Sequence, residues 1–297
     1  MPEIDPSSPK QAGDLLRAHR LRPQKRLGQN FLCDRNVIDK IVRSANLQPD
    51  DPVMEIGGGL GALTIALSPF CRSVTCIEID RALEPALREV TQPFPNIRLV
   101  MQDVLRGDTG RLLEESFGDV AGVVVANIPY YITTPILERL LEHKARWKRA
   151  VLLVQQEFAR RVAAPPGADE CGAISLFAQY HAGVELLGIV PRTVFVPQPE
   201  VSSAILRLTP IVRGRVRVTS EQRLFHLIRA AFGQRRKTLL NALLRAPASF
   251  GLGFSLDDRP GAEAVLRLAG IDGSRRGETL SLEEFARISN AMDTTAS

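Results

Sequence analysis

Residues 53–67 have the sequence VMEIGGGLGALTIAL, in which an apolar run is followed by a glycine loop and a helix-like run. Glycines let a backbone approach a ligand closely, and the amides at the start of a helix can receive an anionic group. Glu55 lies two residues before the first glycine, and Glu78 follows Gly57 by 21 positions. A strand, a glycine loop and a helix, with an acid at this distance, are typical of a nucleotide-binding βαβ unit.

Further apolar runs continue this pattern along the chain. Helix-like segments separate them, and one such helix is expected to begin after Asp34 as its N-cap and to end near Ala45. Strands that alternate with helices predict parallel βαβ units, and therefore an α/β fold with a doubly wound sheet. The runs that predict strands are 53–56, 74–78, 97–100, 120–126 and 150–154.

Charge is distributed unevenly along the 297 residues. The formal net charge is +5, but residues 210–250 contain nine Arg or Lys and one Glu, a local charge of +8. Such a concentration of basic residues is compatible with nucleic-acid binding. Beyond it, 262–269 and 282–288 have helix-like apolar spacing. We therefore expect a flexible N-terminal extension at 1–22, a Rossmann-like domain at 23–210, and a small helical domain at 211–297 whose basic charge suits RNA binding.

Composition disfavours several other classes of protein. The four cysteines form no Cys-x-x-Cys pair and have no clustered histidines beside them, so neither a metal site nor a disulfide framework is expected. Free thiols fit a reducing cytoplasm. Residues 1–14 are polar and are not expected to be a signal peptide, and no apolar run is long enough to span a membrane.

Residues 123–130 have the sequence VVVANIPY, a β-branched strand that ends in an amide, a proline and an aromatic ring. Pro129 disfavours the helical conformation for Ile128, which can aim the Ile128 carbonyl beside the Asn127 side chain. Two acceptors beside the ring of Tyr130 suit the exocyclic amine of a flat base. A simple strand-ending turn is the alternative interpretation, because Asn and Pro both favour turns.

The glycine loop alone leaves two cofactors open. Gly57 and Gly59, with Ala62, satisfy a relaxed dinucleotide fingerprint, so NAD is one of them. Glu55 favours S-adenosylmethionine, because a carboxylate there can help organise the cationic amino-acid end of that ligand. Asp103, at the end of the third predicted strand, also favours it, since its carboxylate could accept from the adenine amine.

Eight segments, in order, resemble the ribosomal RNA adenine N6-dimethyltransferase family, and most closely its bacterial small-subunit branch. Gly58 stands where the family usually has proline, which could loosen the glycine loop, and Ile128 stands where leucine is common. The matching segments are QKRLGQNFL (24–32), EIGGGLGALT (55–64), EID (78–80), QDV (102–104), NIPY (127–130), QQEFARR (155–161), FVPQP (195–199) and FGQRRKTL (232–239).

The resemblance implies S-adenosylmethionine-dependent N6,N6-dimethylation of two adjacent adenosines near the 3′ end of 16S rRNA. The small ribosomal subunit or its precursor would be the partner of a monomeric enzyme. No metal is needed, because the sulfonium is already a good leaving group. The residues that the resemblance places around the cofactor are Asn30, Leu32, Gly57, Glu78, Asp103 and Asn127.

The same resemblance assigns roles toward the RNA. Asn127 and the Ile128 carbonyl would orient the adenine N6, Tyr130 would stack on the flipped base, and Phe195 is the candidate for its opposite face. A core phenylalanine is the alternative interpretation of Phe195. The basic triplet Arg235, Arg236 and Lys237 is expected on a helix, where it would contact RNA phosphates or form a solvated face.

Three other functions remain as alternatives. A large-subunit dimethylase of the macrolide-resistance type is disfavoured by the long basic C-terminal segment. An RNA-binding assembly or transcription factor on an inactive methyltransferase fold is disfavoured by the intact sequence at 127–130. An NAD-dependent oxidoreductase would be distinguished by comparing the binding of the two cofactors.

Overall fold

The computed structural model describes residues 4–254 and 258–295, which divide into two compact units. The first contains the described residues up to Ala159 together with Gly183–Val212. The second contains Arg160–Ala182 and the described residues from Arg213 onward. The crossing after Val212 is close to the boundary expected at 210. Residues 160–182, however, were expected in the first domain and belong to the second unit.

A seven-stranded sheet forms the centre of the first unit, in the order β4–β3–β2–β5–β6–β9–β7. The strands from β4 to β6 in that order are parallel, and β9 is antiparallel to β6. A separate two-stranded antiparallel pair joins β1 to β8. The strands are β1 (Phe31–Leu32), β2 (Pro52–Ile56), β3 (Ser73–Glu78), β4 (Ile97–Met101), β5 (Gly122–Asn127), β6 (Trp147–Gln155), β7 (Ala182–Val190), β8 (Phe195–Val196) and β9 (Ser203–Pro210).

Helices follow the strands as a doubly wound fold requires. The helices are α1 (Pro9–Ala18), α2 (Arg35–Ala45), α3 (Ala62–Leu67), α4 (Glu84–Thr91), α5 (Thr109–Phe117), α6 (Thr133–Glu142), α7 (Gln156–Ala163), α8 (Ala173–His181), α9 (Glu221–Gly233), α10 (Leu239–Leu244), α11 (Arg259–Leu268) and α12 (Leu282–Thr295). The Rossmann-like α/β class predicted from the sequence is confirmed, as is the Asp34 cap, whose carboxylate accepts from Val37 N at 3.0 Å. The antiparallel strand β9 and the edge strand β7 were not predicted.

The strand order determines where on the sheet a ligand-binding crevice forms. β2 has β3 on one side and β5 on the other, so the direction in which the chain winds reverses at β2. The loops that leave β2 and β5 therefore diverge to opposite faces, and a crevice forms at the carboxyl ends of the strands, where open α/β sheets bind ligands. In the register, Glu55 of β2 lies opposite Cys76 of β3 and Val125 of β5.

The N-terminal segment differs from the flexible extension that the sequence predicted. Ser8 caps α1 by accepting from Gln11 N at 3.3 Å, and Pro9 occupies the first helical position. Leu15 and Leu16 are buried in a cluster that includes residues of β1, α3 and α4. Apolar residues on one face of a short helix supply enough burial to hold it against the sheet domain.

The second unit is helical and has its own hydrophobic core, built from α8 to α12. Leu227, Leu243, Leu266 and Phe285 are almost fully buried within it. The helices expected at 262–269 and 282–288 are present as α11 and α12. Across the described part of the chain, no helix is long and apolar enough to cross a membrane.

Candidate functional site

A cavity of about 300 Å³ lies at the carboxyl ends of β2, β3 and β5. That volume is at the lower end for small-molecule sites. The lining of the cavity includes ten residues that the sequence marked as candidates: Asn30, Gly57, Gly59, Glu78, Asp103, Asn127, Ile128, Pro129, Tyr130 and Phe195. Leu32 and Glu55 are not in its lining; they contribute to a separate cavity of about 30 Å³ that shares Gly57, Gly59 and Asn127 with the first.

Glu78 is held rigidly at the end of β3. Its Oε2 accepts from Gly59 N at 2.9 Å and its Oε1 accepts from Asp80 N at 2.8 Å. The side chain is buried, and this burial raises the pKa of the carboxyl above its ordinary value, while the backbone N–H groups of Asp80, Gly59 and Ile79 oppose the rise. Both oxygens keep further lone pairs, so the carboxylate can still accept from ligand hydroxyls.

Glu55 differs from Glu78 because it is incompletely bonded. The residue is 1% exposed, and its Oε2 has no hydrogen-bond partner among the described residues. Burial raises the pKa of this carboxyl to about 8, and hydrogen bonding with Thr64 and Cys76 offsets the rise in part. A buried acceptor without a donor is costly. A cationic or hydrogen-donating ligand would relieve that cost.

The glycine loop is shaped for close approach. Gly57 and Gly59 have φ of +83° and +55°, a region that residues with a Cβ rarely adopt. A Cβ at Gly59 would lie 3.1 Å from the Phe31 ring. At Gly58, where the sequence departs from the family's usual proline, a Cβ would collide with the Cys76 sulfur. Cys76 therefore fills the space that a side chain at position 58 would need.

Asn127 ends β5 with a fixed amide. Its Nδ2 donates to the Asn30 carbonyl at 3.2 Å, so its Oδ1 is the atom left to accept from a ligand. The Ile128 N–H donates to the Leu153 carbonyl at 3.1 Å, which fixes the peptide between Asn127 and Ile128. Pro129 has φ of −54° and ψ of 134°, so the chain turns away from the sheet in an extended conformation.

The two candidate aromatic rings lie in different surroundings. Tyr130 is half-buried, and its hydroxyl shares a hydrogen bond of 3.0 Å with Ser203 Oγ on β9. Burial raises the pKa of this phenol, and the bond to Ser203 opposes the rise. Phe195 is 4% exposed and belongs to the core cluster of the first unit, yet it also lines the cavity. Its backbone pairs with Leu32 across β1 and β8.

Two features of the site were missed from the sequence. Asp80 Oδ2 accepts from Gln24 Nε2 at 2.8 Å and from Gln29 Nε2 at 2.7 Å, and so ties the loop before β1 to the end of β3. Tyr131 lines the cavity with a side chain that is 59% exposed. Only the segment EID hinted at Asp80, and Tyr131 followed the recognised motif directly.

The basic triplet does not lie on a helix, which corrects the prediction. Helix α9 ends at Gly233 and α10 begins at Leu239, so Arg235, Arg236 and Lys237 occupy the turn between them. Arg235 Nε pairs with Glu278 Oε2 at 2.8 Å, and its Nη2 donates to the Asp169 carbonyl at 2.9 Å. Arg236 and Lys237 are exposed, with no ion pair to any described carboxylate.

All four cysteines are buried, and none forms a disulfide within the described residues. Within 4–254 and 258–295, no group of three or more His, Cys, Asp or Glu side chains could hold a metal ion.

Comparison with known proteins agrees with this geometry. A family model described as "Ribosomal RNA adenine dimethylase" matches residues 20–256. A protein named Ribosomal RNA small subunit methyltransferase A from Bacillus pumilus is 43% identical over 289 residues, which are 97% of each chain. The protein of the same name from Bacillus mycoides is 44% identical over the same length and share.

Two solved structures share the fold. The 23S rRNA methyltransferase ErmE superimposes with a TM-score of 0.67 at 29% identity, over 89% of this chain and all of that one. A dimethyladenosine transferase from Plasmodium falciparum gives a TM-score of 0.74 at 24% identity, over 89% of this chain and 97% of that one. The family model matches most of the chain, and the curated relatives align with 97% of it. Both comparisons lead to the same assignment. The chain belongs to the ribosomal RNA adenine dimethylase family and is an S-adenosylmethionine-dependent methyltransferase that dimethylates adenines of ribosomal RNA.

Proposed function

We propose that the substrate is the small ribosomal subunit or its precursor, and that the enzyme acts as a monomer in the cytoplasm. The target would be two adjacent adenosines near the 3′ end of 16S rRNA, each converted to N6,N6-dimethyladenosine. The observation that carries this choice of subunit is the agreement of curated relatives that are 43% and 44% identical over 97% of the chain and share the small-subunit name. The fold alone leaves the subunit open, because ErmE shares it.

The residues at the carboxyl edge of the sheet fit S-adenosylmethionine. Glu78 would accept from the ribose hydroxyls, because both its oxygens retain lone pairs. Asp103 would accept from the adenine amine of the cofactor. Glu55 would take the cationic amino-acid end, because its Oε2 is buried without a partner. Gly57 and Gly59, whose positive φ angles shape the loop, would let the backbone approach the ligand.

Asn30 and Leu32 complete the proposed cofactor site. The Asn30 carbonyl accepts from Asn127 Nδ2, so a shift of the loop before β1 would move the amide that faces the target base. Leu32 is 5% exposed and lies beside Glu55 and the glycine loop around the smaller cavity, where it would support the loop by packing.

Catalysis in this proposal is positioning of the nucleophile. When bound, S-adenosylmethionine supplies an electrophilic methyl group on a sulfonium leaving group. Asn127 Oδ1 and the Ile128 carbonyl would accept from the two N6 hydrogens of adenine, which favours a more tetrahedral nitrogen with its lone pair aimed at the methyl carbon. Positioning of this kind can supply about 7–11 kcal/mol at the upper end. The methylated nitrogen then loses a proton to water, and no general base is assigned.

The aromatic rings would hold the flipped target base. Tyr130 is tied to Ser203 through its hydroxyl, so its ring has a defined place at the cavity. Phe195 would contact the opposite face of the base from its position in the cavity lining. Pro129 would keep both acceptors and the Tyr130 ring on the same side of the strand end. Stacking contributes about 1–3 kcal/mol per base.

The turn that carries Arg235, Arg236 and Lys237 would contact RNA phosphates. Arg236 and Lys237 would contribute most, because they are exposed and without acidic partners among the described residues. Arg235 would contribute less, since Glu278 already neutralises it at 2.8 Å. Such contacts position the RNA and do not encode its sequence.

The test is methylation of ribosomal subunits from cells that lack this modification. Small and large subunits are incubated separately with methyl-labelled S-adenosylmethionine, and the modified bases are mapped. We expect dimethylation of two adjacent adenosines in small subunits only. Label in large subunits alone would support the large-subunit alternative, and no label in either would contradict the proposal.

A further inference from the structure

The second unit has three arginines close to Arg213, where the chain enters it for the second time. They alternate with partly buried residues. Arg213, Arg215 and Arg217 are exposed, whereas Val216 and Val218 are partly buried and pack against the core of this unit. The three arginines are therefore the solvent-exposed residues of a segment that is anchored to that core by its valines. We call Arg213, Arg215 and Arg217 the arginine strip.

The backbone of the arginine strip is bonded to two helices of its unit, at Arg215 and at Arg217. Arg215 N donates to the carbonyl of Tyr180 in α8 at 3.1 Å. Asn290 in α12 donates from Nδ2 to the Arg217 carbonyl at 3.1 Å and accepts from Thr219 N at 3.1 Å. Binding to the strip would therefore cost little ordering of the backbone.

The charge of the arginine strip is not neutralised locally. Two other arginines of the same basic segment do have carboxylate partners, since Arg223 pairs with Asp293 and Arg235 pairs with Glu278. The three guanidinium groups of the strip form no ion pair with any carboxylate in 4–254 or 258–295. Charge without a partner on a fixed segment is more readily available to an external anion than a charge already paired.

We propose that the arginine strip binds the phosphate backbone of ribosomal RNA, as a contact surface in addition to the turn at 235–237. Guanidinium groups bind phosphate oxygens in a bidentate manner, and this geometry favours arginine over lysine at such sites. The proposal rests on the proposed function only in taking ribosomal RNA as the polyanion. Each phosphate that the strip neutralises would release counterions, so its contribution is read from the salt dependence of binding.

The experiment compares two triple variants that each lower the net charge by three. The strip variant is Arg213→Gln, Arg215→Gln and Arg217→Gln. The control removes three exposed arginines that pair with a glutamate four residues away, namely Arg88→Gln, Arg111→Gln and Arg259→Gln. Equilibrium binding is measured over a range of salt concentrations, on whichever ribosomal subunit the wild type methylates. Circular dichroism and thermal unfolding check that each variant retains its fold, and calorimetry with S-adenosylmethionine checks the cofactor site.

For the strip variant we expect a log–log salt slope smaller in magnitude by about 2, at about 0.7 per phosphate contact on a single strand. The control should keep the wild-type slope, and both variants should keep wild-type cofactor affinity. A strip variant with the wild-type slope, or an equal loss in the control, would overturn the proposal. The subunit preference of the wild type is scored first and by itself, so a failure of the small-subunit assignment is distinguished from a failure of the strip.

Discussion

The two units use charge in opposite ways. At the carboxyl edge of the sheet, Glu78 is buried, and backbone N–H groups hold it in one orientation. In the second unit the arginine strip is exposed and unpaired. A small ligand gains from a few preoriented buried groups, whereas a polyanion gains from counterion release summed over many exposed charges. Single substitutions should therefore have large effects in the first unit and small effects in the second.

The largest effect is expected for Asn127→Ala. Its amide is fixed by Asn30 and is the proposed acceptor for N6, so methyl transfer should slow by at least about 100-fold, as with loss of one preorganised polar group. Single-turnover methylation of small subunits measures the rate of transfer. Asn36→Ala, in the first turn of α2 and outside the cavity lining, is the matched control. Near-wild-type transfer by Asn127→Ala would remove this residue from catalysis.

The proposed base stacking is tested next, at Tyr130. Tyr130→Phe keeps the ring and loses only the bond to Ser203. It should weaken binding of the target base, read from single-turnover methylation, by about 0.5–1.5 kcal/mol. Tyr130→Leu keeps bulk without the flat face and should cost about 1–3 kcal/mol. If Phe195 faces the same base, Phe195→Leu should be non-additive with Tyr130→Leu in a double-mutant cycle. Additive losses would leave Phe195 as a core residue alone.

Glu78→Gln should weaken the binding of S-adenosylmethionine by about 0.5–3 kcal/mol. The amide would present a donor to one of the two backbone N–H groups that Glu78 now accepts from, those of Gly59 and Asp80. Isothermal calorimetry measures the affinity. Glu115→Gln removes the same charge from an exposed ion pair with Arg111 and should bind the cofactor as the wild type does.

The burial of Glu55 predicts that the stability of the protein depends on pH. Its pKa is raised from 4.5 to about 8 by burial, so the native state holds the proton over a range in which the unfolded state has lost it. As pH rises from 4.5 through 8, the ligand-free wild type should lose stability relative to Glu55→Gln. Chemical denaturation at several pH values gives the two free energies of unfolding. A difference that does not change over this window would contradict the assigned burial.

The smallest effect is expected at Arg235. Because Glu278 already neutralises it, Arg235→Gln should hardly change the salt dependence of subunit binding. Arg236→Gln with Lys237→Gln should lower the magnitude of the slope by about 1.4. If the salt slope changes by the same amount per residue in the two variants, the Arg235–Glu278 ion pair must open when RNA binds.

The sequence predicted the parts of the fold that depend on local pattern. Strands β2 to β6 and the cap at Asp34 follow from apolar runs and a capping residue. Of the three acids predicted at strand ends, Glu78 and Asp103 line the main cavity and Glu55 does not. Helix α1 was missed because ten residues with a Pro- and Ser-rich start carry a weak periodic signal. Residues 160–182 were placed in the wrong domain because the chain changes units within a continuous helix, α7.

What the sequence could not show depends on contacts between distant residues. The link from Gln24 and Gln29 to Asp80 spans more than 50 positions, and the pairing of Arg235 with Glu278 spans 43. The triplet at 235–237 was placed on a helix because its flanking residues are helical, whereas the chain turns after Gly233. The orphan oxygen of Glu55 depends on burial by two neighbouring strands, which no local pattern encodes.

The most direct test of the separation between the two units measures two affinities for two variants. Glu78→Gln and the triple variant of the arginine strip are each titrated with S-adenosylmethionine and, separately, with small ribosomal subunits at several salt concentrations. The account predicts a crossed result: Glu78→Gln loses cofactor affinity and keeps the salt slope, and the strip variant keeps cofactor affinity and loses slope. Loss of both affinities in both variants would contradict it.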